Sequence, residues 1–599
     1  MKLIFLTIIA LGCFLPIQGQ NKVRTDSLMN RELTLEKEYN PTINKAVKLS
    51  QIPELSEPQA PKSKVEFSNY AVPFETQSKL YSLSPQTYLT RLNYSKNKGF
   101  LTGGISSLLD IDGDLGYQIL NSDQDRLNVF FSHRSSRSNI SYIQKQPDQA
   151  EEKQKFKIND NWGGMNYLHD MGAMQFLADI KYTYSGFNYY GLSIPYILCY
   201  IMPGPEPNNN FDKNTNQINQ MLEAHIGVSS EKADEFNYAV KIGYTNFRQK
   251  YGNKPTESGE GENRILIDGD IHQSINSTMK LGLSGSIKTY HYPDSYLILN
   301  DSLTNYWTYS LNPYLYWEDE NMNLLLGAKM EVEVGGRQKI TASPAIRFNY
   351  YPSNQVMLYL LAEGGRKDNS RYRLFYENRY VDPLIRVMDS RSPLDATAGV
   401  KFTLPASLSV GVFSGYKITY DEHFFYSNVG AKNHFEETTP MLAGSWITPT
   451  YEDANTLKFG VDLKYAFQNT FEINLTGTYY QWTIMKKFPD DGFLHEAWNK
   501  PSFETKLNAG YLSPWFPLRF DLSYLGAYGR KAAGETGGIF SSSNKMNDIH
   551  DLSIKGTYSF TPDFSVYASL NNLLLSKYDF WWGYPAQGIN LMTGFSFLF

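Results

Sequence analysis

A chain of 599 residues is long enough for several ordinary domains or for one very large barrel. Its 56 basic and 61 acidic residues leave a net charge of -5, which offers no basic field and argues against nucleic acid as a partner. Aromatic residues make up 15%, with 44 Tyr and 35 Phe, an excess that suits girdles at membrane interfaces better than an average soluble core.

The chain opens with an address. Lys2 precedes an apolar run from Leu3 to Ile17, followed by Gln18, Gly19 and Gln20, the pattern of a secretory signal over residues 1–19. Cys13 follows Gly12, but Ala10 and Leu11 fit a lipoprotein cleavage box poorly and the apolar run continues past the cysteine. Removal of the signal leaves Cys199 as the only cysteine, so neither an intrachain disulfide nor a cysteine-rich zinc site is available. No other apolar run reaches the roughly 18 residues of a membrane-spanning helix. If the mature chain lies in a membrane, it crosses as strands.

Residues 20–98 read as a periplasmic N-terminal segment. Between residues 31 and 62, charge is mixed with Pro41, Pro53, Pro58 and Pro61, as in a short element followed by an extended linker. The stretch after it is more apolar, with Phe67, Tyr70, Val72, Phe74, Leu80, Tyr81 and Leu83. Two readings stand for it: a linker packed under a barrel, or a reduced plug that enters the lumen.

From residue 99 to residue 599, alternating segments of ten or more residues are separated by connections of two kinds. Short ones fall at 231–234, 276–277, 318–321, 353–355, 405–407, 468–470, 513–516 and 561–563. Longer ones fall near 188–216, 251–261, 293–305, 369–392, 426–452, 487–500 and 533–544. The alternation predicts an all-β fold, a large antiparallel transmembrane β-barrel of about 22 strands with tight periplasmic turns and longer outside loops.

Several stretches along it invite chemical readings. Asp110–Asp114, "DIDGD", could offer carboxylates to Ca²⁺ but lacks the spacing and final Glu of an EF-hand loop, so an Asp-Gly hairpin tip is expected. Residues 189–207 are apolar where an outside loop should be polar. Ile194, Tyr196, Ile197, Leu198, Ile201 and Met202 either fold into the barrel or onto another loop, or dock a partner protein or bulky ligand. Gly282-Leu283-Ser284-Gly285-Ser286 lacks the final glycine of a nucleophile elbow and sits within a predicted strand. Lys367, Arg371, Arg373, Arg379 and Arg386 read as a solvated loop face, or as a site for lipopolysaccharide phosphates.

At residues 456–480 the two faces are plainest. Leu457, Phe459, Val461, Leu463, Tyr465 and Phe467 alternate with Lys458, Asp462 and Lys464. After a turn, Phe471, Ile473, Leu475 and Tyr479 alternate with Glu472, Asn474, Thr476 and Thr478. Lipid takes the first set and the lumen the second, and in lipid such strands must close on themselves. His495-Glu496 begins a zinc-protease pattern, but Asn499 occupies the place of the second His. No catalytic, cofactor-binding or metal-binding residues are assigned, and no enzyme is expected.

The C-terminus ends on Phe599, with Phe597 and Gly594 before it, a spacing that resembles the aromatic insertion signal of outer-membrane barrels. The longer stretch resembles the end of TonB-dependent receptors: Asn572-Leu573, Tyr584-Pro585 and Gly588 match, while Ile589 stands where that family usually has Arg and Met592 where the insertion signal prefers a polar residue. Trp581, Trp582 and Tyr584 suit either sugar stacking or an interface girdle. The resemblance implies a multi-pass barrel in the outer membrane of a Gram-negative bacterium, in contact with outer-membrane lipid and delivered by the barrel assembly machinery. It also implies a TonB box and a full plug domain, neither of which is recognisable in residues 20–98. Two functions follow: transport or binding of a bulky solute, or a permanently blocked structural barrel that scaffolds a surface or periplasmic partner protein.

Overall fold

A computed structural model describes residues 97–143, 153–191, 216–230, 236–252, 258–293, 305–336, 339–383, 385, 387–404, 407–427, 446–468, 470–485, 495–536 and 539–599. Twenty-two strands form a single antiparallel sheet, each paired with its neighbour in the chain. Pairing of the first strand, Gly99–Ser106, with the last, Asn590–Leu598, closes the ring. Closure removes the unpaired edges that lipid cannot tolerate.

Side-chain alternation sorts the wall into two faces. Phe459 and Val461 are each 48% exposed on the outside, whereas Lys458, just before them, turns inward to Asp395. Val240, Ile242 and Tyr244 repeat the outward pattern, and in Leu518–Tyr528 the inward Arg519 and Asp521 pair at 2.8 Å. Among the described residues no helix is long and apolar enough to cross a membrane; the strands do so.

The wall is uneven. Strands near the closure, such as Phe564–Asn571 and Asn590–Leu598, have 8 and 9 residues. Leu408–Ser427 and Ile447–Phe467 have 20 and 21. Since 9 to 11 residues span the hydrocarbon, the tall arc projects well beyond it and carries structure outside. The short turns, including Gln468 and Thr470 between the paired strands ending at Phe467 and starting at Phe471, lie at the opposite end.

The C-terminal residues serve the closure directly. Phe597 and Phe599 are about two-fifths exposed outward, and their rings stack 5.8 Å apart. Gly594 faces inward, where an added Cβ would collide with the Gly103 carbonyl and the Tyr567 ring. Gly588 lies before the last strand, which begins at Asn590.

One sequence expectation is corrected. Asp112, Gly113 and Asp114 lie inside the strand Ile111–Asn121, and the hairpin tip falls at Ser107–Asp110. There Ser106 donates its hydroxyl to Asp110 at 2.8 Å and accepts the Asp110 amide at 2.9 Å, so a side-chain bond closes the turn in place of an Asp-Gly pair.

A closed hydrogen-bonded ring of this kind resists detergent until heated. Unheated protein is therefore expected to migrate faster than boiled protein in a denaturing gel; identical mobility would contradict the ring.

Candidate functional site

The segment between the strands Val356–Lys367 and Ser390–Leu404 folds across the outer end of the barrel. Its base is tied shut by side chains. The Asn369 amide donates to Asp389 at 3.1 Å, and the Asn369 side chain to the Met388 carbonyl at 2.9 Å and to Ser390 at 2.8 Å. Asp368 accepts Arg264 at 3.0 Å, and Arg366 bridges Asp389 and Glu333. Ser370 then caps a seven-residue helix, Arg371–Glu377, accepting the Arg373 amide at 3.4 Å.

Apolar positions of that helix point into the molecule. Leu374 and Phe375 are buried, and Phe375 stacks on Phe247 with ring centres 5.7 Å apart. Beyond the helix, Tyr380 stacks on Tyr584 at 4.0 Å and meets Phe187 and Tyr190 edge-on. Val381 bridges to Ile447, whose carbonyl accepts the Asp382 amide at 2.9 Å. These partners come from distant arcs of the ring, so residues 368–389 span the mouth.

Arg371 holds the helix in place. It is 1% exposed, pairs with Glu260, and donates to the Pro383 carbonyl at 2.9 Å; its backbone amide donates to Glu262 at 2.7 Å. Burial pulls its guanidinium down to about 10, with Asp382 and Tyr451 opposing. At the helix end, Glu377 accepts His423 at 2.8 Å and Lys500 at 3.5 Å. Burial would raise its carboxyl, but His423 and Lys500 outweigh that and hold it well below the ordinary range. Arg379 pairs with Asp160 at 2.9 Å.

The basic cluster expected as a solvated face is thus divided. Arg371 and Arg379 are inside, matched to carboxylates on the wall, while Arg373 is exposed and Arg386 lies outside the described residues. The reason is the apolar Leu374, Phe375, Tyr380 and Val381 among the charges, which draw the segment inward.

The last outside loop lies against the same centre. Trp581 is 9% exposed and packs edge-on to Phe425 at 5.0 Å; Tyr584 is fully buried; Trp582 is partly covered, its carbonyl accepting Ser427 at 2.9 Å. Arg530 anchors this loop to the preceding one by donating to the carbonyls of Phe580, Asn547 and Asp579. Ile194, Tyr196, Ile197, Leu198, Ile201 and Met202 lie outside the described residues. The preceding Tyr189 and Tyr190 enter the cluster, and the Tyr190 hydroxyl donates to the Pro585 carbonyl at 2.9 Å.

Beneath these loops is a cavity of about 1030 Å³. Ile140, Phe156, Tyr190, Tyr380 and Trp581 line its outer part; Lys417, Lys458, Lys506, Arg519, Asp521 and Lys555 line the wall toward the short turns. Catalytic geometry is not evident in the two motifs weighed from sequence. His495 is bonded to Glu452 at 2.8 Å and Asn499 donates to the Phe425 carbonyl, while Ser284 lies within the strand Met279–His291. Among the described residues, no three His, Cys, Asp or Glu gather to hold a metal ion.

Closed ring, apolar exterior and polar lumen define a 22-stranded antiparallel β-barrel of the outer-membrane kind. Solved structures with this architecture include a variant of the ferric enterobactin receptor PfeA from Pseudomonas aeruginosa, with a TM-score of 0.61, 11% identity and coverage of 84% of this chain and 81% of that one. The siderophore receptor PirA from Acinetobacter baumannii matches with a TM-score of 0.60 and 10% identity, over 84% of this chain and 81% of its own. The FrpB iron transporter from Neisseria meningitidis reaches 0.61 at 7% identity, covering 84% and 82%. At such identities the likeness establishes the fold. No protein-family model matches the chain, and neither does any curated protein sequence.

Proposed function

We propose that this barrel binds and passes a bulky solute at the outer membrane, with residues 368–389 acting as its outer closure. The carrying observation is the 1030 Å³ cavity directly beneath that segment, of a size that suits a ligand at or above ordinary drug dimensions. The names of the similar structures, two siderophore receptors and an iron transporter, support a solute over a scaffold role. Buried ion pairs at Arg371 and Arg366, with a half-buried one at Arg379, favour the second reading, a permanently blocked barrel that presents its loops to a partner protein.

Single-channel conductance in planar bilayers separates the two. Three proteins, residues 20–599, the same chain lacking 20–98, and the same chain with 371–387 replaced by a short Gly-Ser linker, are compared with a fourth, the double deletion that carries both changes. Under the transport reading the first is silent and removal of one obstruction, alone or with the other, opens a large pore. Silence of all three and of the double deletion would mean that other loops and inward side chains fill the lumen, and the scaffold reading would replace transport.

A further inference from the structure

The hairpin that joins Lys153–Asp170 to Gln175–Asn188 has its tip at the end of the short turns and reads His169-Asp170-Met171-Gly172-Ala173-Met174. Asp170 pairs with Gln175 and His169 with Phe176, and the Met171 amide donates to the Met174 carbonyl at 2.9 Å. Met171 and Met174 therefore stand directly opposite one another across a two-residue tip. Gly172, at φ 78°, makes so tight a reversal possible. Opposed residues have Cβ atoms about 4.5–5.5 Å apart and share a face. His169, two positions before Met171, falls on that same face.

Contacts around the tip agree with this register. The His169 and Tyr167 rings stack 6.3 Å apart, and Tyr167 meets Phe176 at 6.4 Å, all on the outward side. Met174 Sδ lies 3.9 Å from the hydroxyl of Tyr238, which is also outward. Both residues are open to the surroundings: Met171 is 50% and Met174 37% exposed. His169 has one ring nitrogen already engaged, Nδ1 lying 2.8 Å from Asp125, which also accepts the Tyr167 hydroxyl at 2.6 Å. A carboxylate on Nδ1 fixes the orientation of the ring, the arrangement commonly found behind metal-ligating histidines.

Two thioethers and an imidazole on one face form a donor set for a soft cation, and hard ions such as Ca²⁺ or Mg²⁺ would find no oxygen cage there. We propose that His169, Met171 and Met174 bind Cu(I) at the periplasmic rim of the barrel. The site is independent of the capped cavity and of any transported solute.

The test is competition for Cu(I) against bicinchoninate under anaerobic, ascorbate-reduced conditions, using the folded mature chain in detergent. Wild type should remove one equivalent of Cu(I) from the chelator complex. Met171→Leu/Met174→Leu keeps the apolar bulk of both side chains, so a purely interfacial anchoring role survives it; it should remove none. Asp125→Asn should weaken binding about tenfold through the ring it orients. Heat-dependent gel mobility of each variant confirms folding. No uptake by wild type, or equal uptake by wild type and the double leucine variant, would overturn the site.

Discussion

Replacing Arg371 with alanine is expected to release residues 368–389 from the barrel mouth at a cost of about 3–5 kcal/mol, the range for breaking a buried ion pair from one side. The magnitude follows from what stays behind. Glu260 and Glu262 are 4% and 2% exposed, and both are directed at the Arg371 position. Without the guanidinium, Glu260 loses its partner in a site that water does not reach, and the Pro383 carbonyl loses a donor. Moving the segment outward is the route by which those groups regain water. External trypsin should then cut at Arg373 or Arg379, which the wild type protects at Arg379 through Asp160. Arg373→Ala, at an exposed position of the same helix, should change stability by less than about 0.5 kcal/mol. Equal proteolysis of wild type and Arg371→Ala would show that the aromatic contacts of Tyr380 hold the segment unaided.

The wall was readable in the residues and the mouth was not, for a physical reason. Lipid imposes a period of two on every strand, so Val461 and Asp462 announce their faces without reference to any distant residue. Strand number and the alternation of short and long connections follow from the same local rule. The closure depends instead on pairs far apart in the chain, such as Arg371 with Glu260 or Tyr380 with Tyr584, and no local pattern encodes them. A partial signal was present: Ser370 as a cap, then Leu374 and Phe375 on one helical face inside a loop otherwise rich in charge. The arginines of that loop, taken by themselves, fit a solvated face equally well. Trp581 and Tyr584 carried a similar ambiguity, because aromatic content suits a girdle, a sugar platform or a buried stack equally well, and the choice rests on neighbours contributed by other loops.

Val461→Arg is expected to destabilise the barrel by about 2–4 kcal/mol, the cost of an arginine on the lipid face near the bilayer centre. Val461 is 48% exposed outward, and its cross-strand neighbours Val412 and Gly477 offer no charge or hydrogen-bond acceptor from their side chains. Asp462→Leu, one residue along, is the matched comparison. Asp462 faces the lumen and accepts the Thr476 hydroxyl at 2.8 Å, so leucine forfeits about one hydrogen bond, worth roughly 0.5–1.5 kcal/mol. Leucine there also meets a lumen wall already lined with mixed polar groups, where no bilayer insertion cost applies. Reversible urea unfolding in lipid vesicles, followed by tryptophan fluorescence, reads both variants on one scale. The ordering carries the argument: a larger loss for Asp462→Leu than for Val461→Arg would invert the two faces of Ile447–Phe467, and with them the assignment of lysine and aspartate to the interior of the tall arc.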